Sequence, residues 1–436
     1  MRILVIGSGG REHALVWKIR QSSLTTLLYC APGNAGIAEL AELVPIKATD
    51  IDGLLKFALD QHIDLTVVGP EQPLMKGIVD LFEARGLNIF GPSKAAAELE
   101  GSKVFAKHFM RQYNIPTAEF CTFTLLERFE AERYINEIPA PMVIKADGLA
   151  AGKGVTICET KDQALDVLEQ MMEKKVFGEA GVNVVIEEFL IGEEASVFAI
   201  TDGKDFVTLS SAQDHKRIFD NDLGKNTGGM GSYAPAPIVS DEVLEKVKRT
   251  IIRPTLLAMA KEGRPYKGCL YVGLMITETG PKVVEYNCRF GDPEAQVVLP
   301  LLEFDVVQLL LQSINDDLAG SNIACKDQSA VCVVIASGGY PDNYATGKQI
   351  FGLDAAMDRD VIVFHAGTKR EKEKIVTSGG RVLGVTALGP RLDLERTIDK
   401  AYTAVEKITF DGAYYRSDIG KKGVTRIKQL NNSEST

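Results

Sequence analysis

The stretch KADGLAAGKGV, Lys145 to Val155, has the composition of a phosphate-binding loop but not its spelling. A P-loop carries Gly, four residues and then Gly-Lys-Ser/Thr, whose hydroxyl helps to hold a metal. Here three residues separate Gly148 from Gly152, and Lys153 is followed by Gly154. The flanks decide what the loop is. APMVIKA before it and GVTICET after it are rich in β-branched residues and read as strands. A P-loop joins a strand to a helix, whereas this loop joins two strands and so predicts a hairpin. Its tip, with Gly152, Lys153 and Gly154, can fold over phosphates as a lid while Lys145 rises from the strand before it. A flexible hairpin without a ligand accounts for the glycines too, but less readily for the two lysines that flank them.

Upstream, residues 1 to about 100 alternate short apolar runs (RILVIG, TTLLYCAPG, DLTVVGP, LNIFGPS) with helical stretches. Strands this apolar are buried on both faces, the mark of a parallel sheet flanked by helices. GSGGREH, Gly7 to His13, follows the first strand and opens a helix, as a dinucleotide fingerprint does. Its third glycine would fall at position 12, where the chain has Glu12, bulky and acidic beside a pyrophosphate. NAD is therefore disfavoured, and a single phosphate is the better guest for the free N–H groups of Gly9 and Gly10 at a helix N-terminus. Ser93 opens an alanine-rich helix, Gly101 interrupts it, and Ser102 caps the next. That break sets the first domain at 1–101.

Downstream, PKVVEYNCRFGDPEAQ holds a second constellation. In the strand VVEYN, Glu285 and Asn287 are two apart and project from one face. A carboxylate and an amide oxygen side by side are hard ligands suited to Mg²⁺, which keeps waters and phosphate oxygens as its other ligands. Arg289 continues the face at i+4 if the strand runs so far, and Gly-Asp-Pro then turns the chain at Asp292. A solvated strand face is the alternative. NVVIEEFLIGEEASV runs from a strand through Glu187, Glu188 and Leu190 to Glu193 and Glu194. Such a segment can read an adenine through its main chain, although acids after a strand are commonly just solvated.

Composition bounds the rest. At roughly 100–200 residues per domain, 436 residues imply about three domains. A net charge of −10 with no long basic run speaks against nucleic acid and anionic membranes. Seven cysteines, never spaced C-x-x-C, favour reduced thiols, and no apolar run approaches the ~18 residues of a membrane span. A cytoplasmic protein is expected. After residue 325, AVCVVIASGG, DVIVFHAGT, GRVLGVTALG and the helix DLERTIDKAYTAVEKI make a small α+β domain, 326–436. The polar end LNNSEST is expected to fray.

In this order, the three site segments resemble the ATP-grasp superfamily. Together with VIGSGGREHAL, APGNAG, VVGPEQPLMKG, FGPSKAAAELEGSK, SAQDHKR, NTGGMG, NCRFGDPE and FHAGTK, nearly the whole chain resembles the glycinamide ribonucleotide synthetases within it. The resemblance implies a mixed α/β and α+β multidomain fold. It has an N-terminal parallel-sheet domain, a two-lobed ATP-grasp body at 102–325 with a hairpin lid at 118–190, and the C-terminal domain. It implies ATP-dependent ligation of glycine to 5-phosphoribosylamine through glycyl phosphate, with Mg²⁺ or Mn²⁺, and channelling to neighbouring purine-pathway enzymes as a further expectation. A monofunctional chain is expected.

Residue by residue, Lys103, Lys145 and the lid's Gly152, Lys153 and Gly154 would meet the ATP phosphates. Glu187, Glu188 and Leu190 would meet the adenine, Glu194 the ribose, and Glu285 and Asn287 the metal. Arg289 would stabilise the migrating phosphoryl group and Asp292 would accept from glycine's ammonium, with Lys145 the third catalytic candidate. Asp214, His215, Lys216, Arg217, Gly228 and Gly229 would close over the acceptor, Gly9 and Gly10 would cradle its 5′-phosphate, and Glu71 would hold its ribose hydroxyls. The strand CLYVGLMI lacks the acid that many ATP-grasp enzymes place there, so only two protein metal ligands are expected. A different ATP-grasp ligase or carboxylase, and a nucleotide-binding protein without catalysis, are the rival readings. The second would have no need of Lys145, Glu285, Asn287 and Arg289 together.

Overall fold

The computed structural model describes residues 1–148, 154–174, 176 and 181–434. The strands β1 (Arg2–Gly7), β2 (Leu27–Pro32), β3 (Glu42–Leu43), β4 (Leu65–Val68) and β5 (Ile89–Phe90) form an all-parallel sheet in the order β3-β2-β1-β4-β5. Alternation along β1 sends Ile3 and Val5 to one core, with Ala14, Leu15 and Ile19 of helix α1 (Gly10–Arg20), and Leu4 and Ile6 to the other, with Leu54, Ala58 and Phe82. All four are fully buried, each contributing roughly 1.5–3 kcal/mol, which is why the run has no polar alternation.

The helices Lys94–Gly101 and Lys103–Gln112 follow, each capped by a serine: Ser93 Oγ accepts from Ala96 N–H and Ser102 Oγ from Phe105 N–H. Beyond them a four-stranded antiparallel sheet runs in the order Phe120–Thr124, Asn183–Glu188, Met142–Ala146, Val155–Cys158. The helices Arg128–Glu137 and Lys161–Met172 cover it, burying Ala131, Ile135, Leu168 and Met171 against Ile144 and Ile186. Its last two strands are the hairpin read from KADGLAAGKGV. Of the tip, Gly152 and Lys153 lie outside the described residues.

A second antiparallel sheet has the order Phe206–Thr208, Glu193–Thr201, Gly268–Thr277, Gly280–Asn287. The ladder between its last two strands passes from Gly273↔Glu285 to Leu274↔Val283, so Val284 is bulged. The third sheet crosses residue 326: Gln213–Asp214 pairs with Gly231–Ala234, which pairs with Gln328–Ser337, and the sheet continues to Arg381–Pro390 and Val361–His365. The C-terminal segment therefore shares its sheet with the middle one. The final helix, Lys421–Glu434, runs through most of the end expected to fray, because Val424 and Ile427 anchor it on the C-terminal core. All seven cysteines are free; five are buried, Cys121 is partly buried and Cys325 is exposed. No helix among the described residues is long and apolar enough to cross a membrane.

Candidate active site

The edge strand Gly280–Asn287 of the second sheet and the sheet that carries the hairpin face one another across a line of charge. Glu285 and Asn287 are half-buried on one face of Gly280–Asn287, while Tyr286 between them is buried on the other, its hydroxyl against Thr255 Oγ1 at 2.7 Å. The bulge frees the Val284 carbonyl, and Lys145 Nζ donates to it at 3.1 Å. The same ammonium lies 3.0 Å from Glu187 Oε2, and Lys107 Nζ lies 3.1 Å from Glu187 Oε1. Glu187 thus holds two buried lysines. Lys107 was not singled out from sequence, although it stands one helical turn after Lys103. Burial pushes its pKa down to about 8 despite Glu187.

Lys103 Nζ donates to the Gly148 carbonyl at 2.8 Å, where the hairpin loop begins. Burial, opposed by Glu285, holds its pKa below the usual lysine value. Lys216 Nζ lies 2.8 Å from Glu194 Oε2 and 3.9 Å from Glu285 Oε1. Burial alone would raise the pKa of Glu285, but Lys216, Lys145, Lys103 and Arg289 together hold it below the ordinary carboxylate range. Asp214 goes the other way. Burial, abetted by Glu294, Glu194 and Glu285 against Lys216, pushes it up to about 8.

Arg289 lies beyond the strand's end, which falls at Asn287. Its Nε is 3.3 Å from Glu71 Oε2, so Glu71 meets a guanidinium where ribose hydroxyls were expected. Glu188 pairs with Lys282 at 3.1 Å, and its main-chain N–H is already donated to Glu119 O. Leu190 is buried beside a part-exposed Phe189. Arg217 turns into the hairpin Arg217–Phe219/Leu223–Asn226, donating to Gly224 O at 2.6 Å. His215 is a buried, neutral ring against Tyr233 (centroids 6.0 Å), and neither ring nitrogen has a hydrogen-bond partner in the protein. Burial, then Arg416, lowers its pKa to about 4.

A cavity of about 300 Å³ opens beside Gly9, lined by Ser8, Gly9, Asn34, Asp292, Thr368 and Arg381 among others. Arg381 closes one wall. Its Nη2 is 3.0 Å from Asp292 Oδ2, and its Nη1 donates to the main-chain carbonyls of Asp292 (2.7 Å) and Gly228. A Cβ on Gly228 would stand 2.9 Å from Arg381 Cζ, so a side chain there would displace the guanidinium from its present position. Burial is outweighed by Arg381 and Arg11, which keep Asp292 below the usual carboxylate range. Asn34 Nδ2 donates to Ser8 O and His365 O, both at 2.8 Å, pinning the N-terminal wall to the C-terminal one. The cradle differs from its expected form: the Gly9 N–H donates to Glu12 Oε2 at 2.6 Å and is not free. Arg381 and Thr368 were missed as site residues. Their only signals are SGGRVLG, an arginine set between glycines, and the FHAGTK motif.

Lys145 from the hairpin sheet, Lys103 from the helix before it and Lys216 from a loop gather their charge around Glu285 on the second antiparallel sheet, an arrangement of the ATP-grasp class. The chain also matches phosphoribosylglycinamide synthetase family models along its length: the N domain at residues 1–100, the ATP-grasp (A) domain at 101–295 and the C domain at 330–422. It is 50% identical over 419 residues to a phosphoribosylamine–glycine ligase of Caldanaerobacter subterraneus subsp. tengcongensis, covering 96% of this chain and 99% of that one. A crystal structure of the Thermotoga maritima phosphoribosylamine–glycine ligase superposes with a TM-score of 0.82 at 35% identity, over 96% of this chain and all of that one. The biotin carboxylase domain of Hydrogenobacter thermophilus 2-oxoglutarate carboxylase, solved with Mg-ADP and bicarbonate, shares the fold at 16% identity. Its TM-score is 0.72 over 95% of this chain and 91% of that one. The chain belongs to the phosphoribosylglycinamide synthetase family.

Proposed function

We propose that this chain ligates glycine to 5-phosphoribosylamine, consuming ATP and releasing glycinamide ribonucleotide, ADP and phosphate. The observation that carries the reading is the adjacency of two sites: a cationic line around Glu285, and a polar cavity lined by Asp292, with Arg289 on the short stretch that joins Asn287 to Asp292. A glycine carboxylate oxygen attacks the γ-phosphorus, the bond to the β–γ bridging oxygen breaks, and ADP leaves. The amine of phosphoribosylamine then attacks the carbonyl carbon of glycyl phosphate, the C–O bond to phosphate breaks, and the amine proton leaves with water. Such transfers need positioning and charge neutralisation more than a protein nucleophile.

Lys103, Lys145 and the lid tip with Gly152, Lys153 and Gly154 take the triphosphate. The Glu188 carbonyl and the Leu190 main chain are left for the purine, since the Glu188 N–H and the Glu187 carboxylate are already engaged. Glu194 holds the ribose once ATP draws Lys216 away. Arg289 faces the migrating phosphoryl group, and Asp292 accepts from glycine's ammonium. Asp214, His215, Lys216, Arg217, Gly228 and Gly229 form the loops around the acceptor. Ser8, Gly9, Gly10, Thr368 and Arg381 surround its phosphate, and Glu71 reaches its ribose from the far side of Arg289.

Among the described residues no three His, Cys, Asp or Glu side chains cluster as a metal site. One ionised carboxylate and one amide still fit Mg²⁺ (or Mn²⁺), which fills its remaining positions with water and phosphate. Glu285 and Asn287 would hold it, and the ion when bound neutralises the phosphates. Residues 1–101, 102–325 and 326–436 are taken as the domains, and the cytoplasm as the compartment. Hand-over to neighbouring enzymes of purine synthesis extends the same reading.

Glycine labelled with ¹⁸O in its carboxylate tests the mechanism. One labelled oxygen should appear in each phosphate released, and unlabelled phosphate would exclude the acyl-phosphate route. Another carboxylic acid replacing glycine would instead support a different ATP-grasp ligase.

A further inference from the structure

Glu100 is buried at the end of the helix Lys94–Gly101, two residues before the serine that caps the next helix and three before Lys103. Nothing in the sequence marks it out. Its carboxylate reaches to the far end of the metal-ligand strand. Oε2 accepts from the Cys288 main-chain N–H at 2.7 Å and from Cys288 Sγ at 2.9 Å, and Oε1 accepts from Arg289 Nη2 at 2.8 Å. The strand ladder stops at Asn287, so the carboxylate supplies the acceptor that a neighbouring strand would have given to Cys288.

The consequence is geometric. Lys103 rides on the helix that begins just after Glu100, while Glu285 and Asn287 ride on the strand that Glu100 terminates and Arg289 follows two residues past its end. One side chain therefore sets the spacing between the two elements that face the phosphates. Glu71 holds the opposite edge of Arg289 at 3.3 Å and leaves the guanidinium one orientation between two acids. A guanidinium hydrogen-bonded to one carboxylate and ion-paired with a second on its other edge is restrained in both plane and position.

We propose that Glu100 is a positioning residue for phosphoryl transfer, holding Arg289 and the end of the metal-ligand strand in register with Lys103. This rests on the ATP-site reading given above. Glu100→Gln keeps an acceptor for Cys288 N–H but cannot also hold Arg289 as an anion. It should lower kcat by roughly 10²-fold, the scale of an ångström's misplacement, with KM for ATP and Tm close to those of the parent chain.

A double-mutant cycle with Arg289→Lys separates positioning from mere support. If Glu100 acts through Arg289, the double variant is no slower than Arg289→Lys alone. Independent, multiplicative losses, or an unchanged kcat in Glu100→Gln, overturn the proposal. If Glu100→Gln does not fold, the cycle is run on Glu100→Asp, which keeps the charge but falls a methylene short, with the same expectations. Lys103→Met is measured alongside. Full turnover in that variant would sink the ATP-site reading itself, whereas its loss together with an indifferent Glu100 would sink this proposal alone.

Discussion

Arg381 Nη2 lies 3.0 Å from Asp292 Oδ2, so a guanidinium from the C-terminal segment grips the turn that follows the Glu285–Asn287 strand. The same side chain holds the carbonyls of Gly228 and Asp292, which makes it the common fastening of three loops around the cavity. Arg381→Ala removes a hydrogen-bonded charge worth roughly 1.5–3 kcal/mol, equivalent to a ten- to hundredfold loss in kcat/KM for phosphoribosylamine. The KM for ATP should hardly move. Arg381→Lys should not restore activity, because one ammonium cannot serve a carboxylate and two carbonyls in a fork. Steady-state kinetics varying each substrate checks this, and an unaltered phosphoribosylamine KM would count against the cavity assignment.

Glu285 is kept ionised by four surrounding cations, the condition a hard metal ligand requires. Glu285→Ala should lower turnover by roughly 10²–10³-fold, the scale seen when one electrostatic stabiliser is lost, while the circular dichroism spectrum is retained. Saturating Mg²⁺ should not rescue it. Parent-like turnover at high Mg²⁺ would remove the metal assignment.

Glu187 is the shared counter-ion of Lys107 and Lys145 in a buried triad. Its replacement by Ala strands two buried ammonium groups, at a cost of about 3–5 kcal/mol. The urea midpoint should fall accordingly, and a midpoint unchanged from the parent would show that the lysines find other partners.

Three histidines are buried with folded pKa values below the free value: His13 at about 3, His215 at about 4 and His365 at about 4, burial being the first cause in each. In each case the unfolded chain binds a proton that the folded chain refuses. The stability this gives is present above pH ~6.5 and is lost as pH falls below that, toward the folded values. Between pH 7 and 5 the loss is about 2 kcal/mol per ring by linkage. His215, with neither nitrogen partnered, gives the cleanest test: His215→Phe should flatten the slope of Tm against pH by one ring's share and cost little at pH 7.

How much of this could be read from the chain depends on the range of the interaction. The parallel sheet, the serine caps at 93 and 102 and the lid hairpin all follow from patterns within a dozen residues, and each is present. The Glu285–Asn287 pair was legible for the same reason, since alternation along one strand places both on one face. Glu100 and Arg289 are 189 residues apart, and Arg381 and Asp292 are joined from different segments, so no local pattern announces either pair. Glu71 and Glu187 were singled out from sequence for ligand contacts, but their arginine and lysine partners depend on how the segments pack. The sheet that crosses residue 326 was hidden likewise: Gly231–Ala234 has no signal of its own for the strand it joins.

The central claim concerns the reaction, and ADP release tests it most directly. The purified chain is given Mg-ATP, glycine and freshly generated phosphoribosylamine, and each is omitted in turn. Release that requires all three, with glycinamide ribonucleotide identified by mass, is the expected result. ADP formed at the same rate without glycine or without phosphoribosylamine would contradict it.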